Sequence, residues 1–178
     1  MVKARLVCQE FNTYKDMDFF SGTPGLPAVK LLIADLARNR GDRCAMLLDV
    51  TGAFLYGQMR RQVGIRLPPE FGTGPGVIGL LHKSLYGLRD APLIWQQHIA
   101  NVLGRAGFEE SPTTVGLFRH GSRHVLIAAH VDDILATGTV EDLEWLRATL
   151  AAEYDLKSTL LGPSFEREAS FLKRRLQW

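Results

Sequence analysis

Apolar and polar positions along this chain repeat with two different periods, and the period separates strands from helices. Lys3–Phe11, KARLVCQEF, reads as a strand with basic residues on one side. TYKDMDFFSGTPGLP follows as a loop rich in Gly and Pro. After Pro27, VKLLIADLARN has helical spacing and reaches a stop at Gly41. CAMLLDV (Cys44–Val50) is a short apolar run with an acid near its end, the pattern of a buried strand that delivers a carboxylate. GAFLYGQM turns away from it, and VGIRLPPEFGTGPGVIGLL holds a strand and then a Gly/Pro loop.

The second half is more regular. Ala91–Gly107 is an amphipathic helix, with Pro92 in its first turn and Gly107 beyond its end. VGLFRH and SRHVLIAAHV read as two strands joined by a Gly-Ser turn, and DDILATG as a third. Thr139–Asp155 is a helix that Thr139 can cap, with Asp142 completing a looser capping box. SFEREASFLKRRLQW is either a strand pair or a short helix. This mixed order, with antiparallel neighbours, predicts an α+β sandwich rather than a Rossmann fold.

Composition changes this picture little. The chain has 178 residues, 46% hydrophobic and 22% charged, which suits one domain or a domain and a lobe. The net charge of +2 says little about partners. The clusters Arg60-Arg61 and Lys173-Arg174-Arg175 are either solvated faces or phosphate contacts. Cys8 and Cys44 lack metal-ligand spacing, so neither a disulfide framework nor a structural zinc is expected, and a reducing compartment is. No apolar run approaches the ~18 residues of a membrane span, and no signal-like segment follows Met1. A soluble, intracellular protein with no membrane partner is expected.

One stretch stands out. AAHVDDILATG sets Asp132 and Asp133 side by side inside an apolar run. Flanking strands would put the pair at a hairpin tip, and a turn can bring both carboxylates to one side. An exposed turn is one reading, because Asp is a common turn residue. Asp49, ending another buried strand in LLDVTGAF, supplies a third acid. Three such carboxylates can converge on hard cations, since Mg²⁺ takes oxygen ligands and two ions can clamp a phosphoryl transfer. His120, His124 and His130 lie nearby in sequence; they are either packed in strands or ligands of a transition metal, with His124 and His130 sharing a face if alternation holds. GTGPGVIGLLHKS is no P-loop, because Lys83 does not follow a Gly. No Ser or Cys has a nucleophile elbow.

KARLVCQEF, LDVTGAFLYG, LPPEF, KSLYGLRDAP with Trp95, and HVDDILATG occur in an order that resembles the reverse transcriptase domain of Ty1/copia-type retrotransposons. The resemblance runs from about Lys3 to at least Tyr154. It implies a polymerase palm, a ferredoxin-like antiparallel sheet with helices Ala91–Gly107 and Thr139–Asp155 on one face. Partial fingers accompany the palm, and no thumb is expected. The implied division is fingers at 1–43 and 60–89 and palm at 44–59 and 90–178.

The resemblance also implies roles. Asp49, Asp132 and Asp133 would be catalytic and, with the Val50 carbonyl, would hold two Mg²⁺ (or Mn²⁺). Lys3 and Arg5 would touch the incoming triphosphate. Phe54 would be the steric gate under the sugar, or else a plain core Phe. Tyr86, Gly87 and His130 would line the nucleotide pocket, and Arg89 would meet a template phosphate. Implied partners are an RNA or DNA template-primer, deoxynucleoside triphosphates and further polyprotein domains such as RNase H and integrase; the implied location is the cytoplasm.

Several positions depart from the family pattern. His130 stands in place of Tyr, Glu10 and Glu70 in place of Gly, Asp90 in place of Gln, Leu93 in place of Arg, and Lys173 in place of Gly. Glu10 or Glu70 would be strained wherever the Gly held a positive φ. Asp90 would put a negative charge near a phosphate path. The activity expected is RNA-directed DNA synthesis. The alternatives are an inactive transposon-derived fragment that at most binds nucleic acid, and another two-metal phosphotransferase or nuclease with His130 as base.

Overall fold

The computed structural model describes residues 6–11, 19–39, 41–72, 74 and 76–178. In chain order the elements are α1 (Leu26–Arg38), β1 (Cys44–Val50), β2 (Gly64–Arg66), β3 (Ile78–Leu80), α2 (Ala91–Arg105), β4 (Phe108–Glu110), β5 (Leu117–His120), β6 (Leu126–His130), β7 (Asp133–Gly138), α3 (Val140–Ala151), β8 (Leu156–Leu161), β9 (Glu168–Phe171) and β10 (Arg174–Gln177). Short 3₁₀ turns cover Ala53–Tyr56 and Pro69–Phe71. The chain divides into two compact units. The first is Met1–Ser21 with Ala53–His98, and the second is Gly22–Gly52 with Ile99–Trp178.

The second unit is built on a six-stranded sheet, ordered β4-β5-β6-β7-β1-β8. Every neighbouring pair is antiparallel. β1 lies between β7 and β8 and is apolar almost throughout, as a strand buried on both faces must be. Register sorts the side chains. Ala45, Leu47 and Asp49 share a face with Leu126, Ala128 and His130, with Asp133 and Leu135, and with Lys157, Thr159 and Leu161. Helix α1 covers one end of that face, where Val29, Leu32 and Leu36 cluster with Ala45, Ala128, Leu135, Leu161 and Phe171. Pro27 in the first turn of α1 costs no helical hydrogen bond there.

Helix α3 meets β1, β7 and β8 on the opposite face, the side of Met46, Leu48, Ile134 and Ala136. A Cβ added at Gly138, on that side of β7, would touch Leu143 of α3. Thr139 caps α3: the Asp142 amide donates to its hydroxyl at 3.2 Å, and the hydroxyl donates to the Asp142 carboxylate at 3.0 Å. The sheet therefore carries α3 on one face and α1 on the other. The small residues Ala45 of β1 and Ala128 of β6 leave room there for the leucines of α1.

The final segment resolves into a strand pair, β9 with β10. Its turn residues Leu172 and Lys173 both have positive φ, 49° and 60°. Strands β3, β4 and β8 were not expected. β4 follows α2 directly, and β8 lies beside β1.

The first unit holds the β2–β3 pair, the 3₁₀ turn at Ala53–Tyr56 and the N-terminal half of α2. Leu88, Ala91, Ile94 and Trp95 form its buried centre. Leu6–Phe11, the described part of the expected first strand, makes no β-ladder. It is held instead by a few specific bonds, described below.

Candidate active site

The site grows from the open end of the α1-side sheet face. Asp49 pairs in register with Asp133 on one side and with Lys157 on the other, and Asp133 pairs with His130. His130, Asp133, Asp49 and Lys157 thus form one row across four strands. Paired residues on neighbouring strands lie about 5 Å apart at Cβ. Asp132 sits one residue away, in the two-residue turn between β6 and β7.

That turn is specialised. Its first residue, Val131, has φ +57°, a left-handed conformation that a β-branched side chain rarely adopts. Strain of this kind persists where the surroundings fix it. Here the Val50 amide donates to the Asp132 carbonyl at 3.1 Å and pins the hairpin tip to the end of β1. The Thr51 amide donates to the Asp155 carbonyl at 2.8 Å and fixes the exit of β1.

The Asp133 carboxyl is held above the ordinary aspartate range, first by burial, then by the negative charges of Asp132 and Asp49, with His130 opposing. Beside the row lies a cavity of about 490 Å³ lined by Asp49, Asp133, Lys157, Thr159, Glu168 and Ser170 among others. Among the described residues no three His, Cys, Asp or Glu side chains already converge as a metal-binding group. The donor chemistry nonetheless suits a hard divalent cation: Asp49 and Asp133 present carboxylate oxygens on one face, the latter partly buried, with Lys157 as the neighbouring cation of the row.

The histidines separate. His120 is buried in the protein, with Nδ1 accepting from the Ser122 and Arg123 amides and Nε2 hydrogen-bonded to the Ala106 carbonyl at 3.0 Å. His124 is exposed, with φ 28°, and lies before β6 begins, so the expected shared face with His130 does not form. His130 alone joins the acid row. Its Nδ1 is buried with no hydrogen-bond partner among the described residues.

The remaining predicted positions lie in the first unit. Phe54 packs on Tyr86, with ring centroids 4.9 Å apart and planes tilted 52°. The Cys8 amide donates to the Tyr86 carbonyl at 2.7 Å. Gly87 has φ +89°, and a Cβ there would collide with the Cys8 carbonyl oxygen, so only glycine fits. The Arg89 guanidinium lies 5.3 Å from the Phe19 ring centroid. Lys3 and Arg5 fall outside the described residues.

The structure bears on several of the departures from the pattern. Asp90 is no free negative charge: its carboxylate is 5% exposed and accepts from Arg61 Nε at 2.7 Å and Nη2 at 3.1 Å. Glu10 and Glu70 carry no left-handed strain, since neither has a positive φ. Lys173 does. Sequence reasoning missed Lys157 because LKSTLL was not read as a strand, and missed Arg61 as an organiser because it read as half of a basic pair.

A family model for reverse transcriptase (RNA-dependent DNA polymerase) matches residues 1–172. The chain belongs to that family. It is 34% identical over 143 residues to the retrovirus-related Pol polyprotein from transposon RE1 of Arabidopsis thaliana, covering 76% of this chain and 10% of the relative. The corresponding polyprotein from transposon RE2 of the same plant is 32% identical over 157 residues, covering 84% of this chain and 10% of the relative. The truncated transposon Ty1-A Gag-Pol polyprotein of Saccharomyces cerevisiae is 34% identical over 119 residues, covering 66% of this chain and 10% of that protein. The chain therefore spans about a tenth of the length of these curated relatives. No solved structure matches it. Among the described residues no helix is long and apolar enough to cross a membrane.

Proposed function

We propose that the chain is the RNA-directed DNA polymerase module of a copia-type element, adding deoxynucleotides to a primer 3′-hydroxyl with release of pyrophosphate. The observation that carries this reading is the row His130–Asp133–Asp49–Lys157, with Asp132 at the adjoining hairpin tip. In this reading 44–59 and 90–178 supply the palm and 1–43 and 60–89 the fingers, bounds that differ from those of the two compact units.

Asp49, Asp132 and Asp133, with the Val50 carbonyl, would hold two Mg²⁺ or Mn²⁺. The bound ions would supply charge neutralisation at the attacking and leaving oxygens. The protein's own part is positioning. The pinned turn fixes Asp132 and Asp133 relative to Asp49, which keeps the carboxylates together against their repulsion. Such fixed geometry is what phosphoryl transfer chiefly asks of a protein. Phe54, packed against Tyr86, would lie under the sugar and disfavour a 2′-hydroxyl. Gly87, which admits the Cys8 carbonyl, would shape the nucleotide pocket through the path of its backbone, and Arg89, Lys3 and Arg5 would meet phosphates. His130 would contact the primer end where relatives carry Tyr. Template-primer, deoxynucleoside triphosphates and the other domains of a polyprotein are the proposed partners.

The test is incorporation of labelled dTTP on poly(rA)·oligo(dT), with and without Mg²⁺ or Mn²⁺. Metal-dependent incorporation supports the reading. A folded chain that stabilises on adding template-primer but incorporates nothing is an inactive nucleic-acid-binding fragment.

A further inference from the structure

Glu10 and Asp90 stand 80 positions apart, and both replace uncharged residues of the family pattern. In the first unit they converge on one guanidinium. Arg61 donates through Nε to Asp90 at 2.7 Å, and its Nη2 lies 2.8 Å from a Glu10 carboxylate oxygen. Glu10 also accepts the Arg89 amide at 2.7 Å. One carboxylate thus ties together residues 10, 61 and 89.

The cluster closes a set of bonds along one seam. The Cys8 amide meets the Tyr86 carbonyl, Gly87 admits the Cys8 carbonyl, and Glu10 takes the Arg89 amide. Phe19 lies close to both guanidiniums, 5.5 Å from Arg61 and 5.3 Å from Arg89. Leu6–Phe11 has no ladder of its own, so these contacts fix its path beside Tyr86–Asp90.

We propose that Glu10–Arg61–Asp90 is a positioning latch that holds Leu6–Phe11 against Tyr86–Asp90 and sets the shape of the latter segment. In this role Arg61 is a positioning residue that acts through Glu10 and Asp90. Its planar fork grips Asp90 through Nε and Nη2 together while Nη2 also reaches Glu10, a bidentate geometry that a lysine ammonium does not reproduce. Without it two acids face each other, one of them almost fully buried. The role in nucleotide and template binding rests on the polymerase reading above; the latch itself does not.

The experiment is hydrogen exchange on the full chain, native against Arg61→Met and against the neutral triple variant Glu10→Gln, Arg61→Met, Asp90→Asn. Arg61→Met is expected to speed exchange about tenfold across Leu6–Phe11 and Tyr86–Asp90, leaving β1, β6 and β7 unchanged. The triple variant, free of unpaired charge, is expected to regain the thermal midpoint but not the protection at Arg89. If the chain extends primers, both variants raise KM for nucleotide about fivefold with kcat within about twofold.

Unchanged protection in Arg61→Met overturns the latch. So does a triple variant that regains protection and KM together with stability, since charge balance alone then explains the cluster. If Arg61→Met does not fold, Arg61→Lys gives the same readings at smaller amplitude, and native protection in it counts against the latch. A native chain that extends no primer removes the polymerase reading only, and exchange still decides the latch.

Discussion

Asp49 on β1 and Asp133 on β7 are register partners, so two carboxylates face each other across neighbouring strands on one side of the sheet. Like charges directly opposite are destabilising. The consequence is visible in Asp133, whose carboxyl is held above the ordinary aspartate range by burial and by Asp132 and Asp49. A raised carboxyl binds its proton more tightly in the folded state than in the unfolded one. Its contribution to stability is full below the ordinary aspartate range and is lost as pH rises through the folded-state value. In metal-free buffer near pH 7, Asp133→Asn therefore raises the thermal midpoint. Melting curves from pH 3 to pH 8 in chelator should show the gain shrinking as the buffer is acidified; a gain independent of pH would assign it to something other than charge.

Lys173 makes the second prediction. It holds φ 60° in the β9–β10 turn, where the family pattern has Gly. A non-glycine residue pays roughly 1–2 kcal/mol in that region, partly offset by the greater freedom of glycine in the unfolded chain. Lys173→Gly should raise stability by about 0.5–1 kcal/mol in urea unfolding. A drop would mean that the lysine makes a compensating contact.

These two sites show what the sequence could and could not convey. The hairpin carrying Asp132 and Asp133 was legible because VLIAAHV and ILA are apolar runs flanking a polar tip. β1 was legible for the same reason, and α3 through its Thr139 cap. The row beside Asp49 was not, because β8 has mixed polarity as an edge strand with its middle three residues exposed. Nor was the α1 contact, since helical periodicity names the apolar stripe but not the sheet face that receives it. The pairing of Glu10 and Asp90 through Arg61 joins three distant segments, and no local pattern encodes it. The strand expected over Lys3–Phe11 has β-like alternation, yet Leu6–Phe11 finds side-chain and single-amide partners in place of a ladder.

Arg43 anchors α1 to the sheet. It is 11% exposed, pairs with Asp35 of α1 at 2.8 Å, and donates to the carbonyls of His124 at 2.5 Å and Thr137 at 3.2 Å. Thr137 completes the loop by donating to Asp35 at 3.1 Å. Asp35→Ala leaves the guanidinium without its counter-charge and should cost about 2–3 kcal/mol by denaturant titration. Arg43→Met with Asp35→Leu should recover much of that loss; an uncoupled pair of losses would contradict the anchor.

Phe54 offers a test of substrate choice. If it lies under the sugar, Phe54→Val should raise the use of ribonucleotides relative to deoxynucleotides about tenfold or more while leaving deoxynucleotide incorporation measurable. If Phe54 only packs on Tyr86, the same change lowers the melting temperature and leaves discrimination where it was.

The central claim is that Asp49, Asp132 and Asp133 act together in nucleotidyl transfer. The most direct measurement is primer extension on poly(rA)·oligo(dT) with Mg²⁺ or Mn²⁺, comparing the native chain with Asp132→Asn and Asp133→Asn, each shown to be folded by its melting curve. The account predicts extension by the native chain and a loss of about a thousandfold or more in each variant. Extension that survives in both variants, or none from a folded native chain, would contradict it.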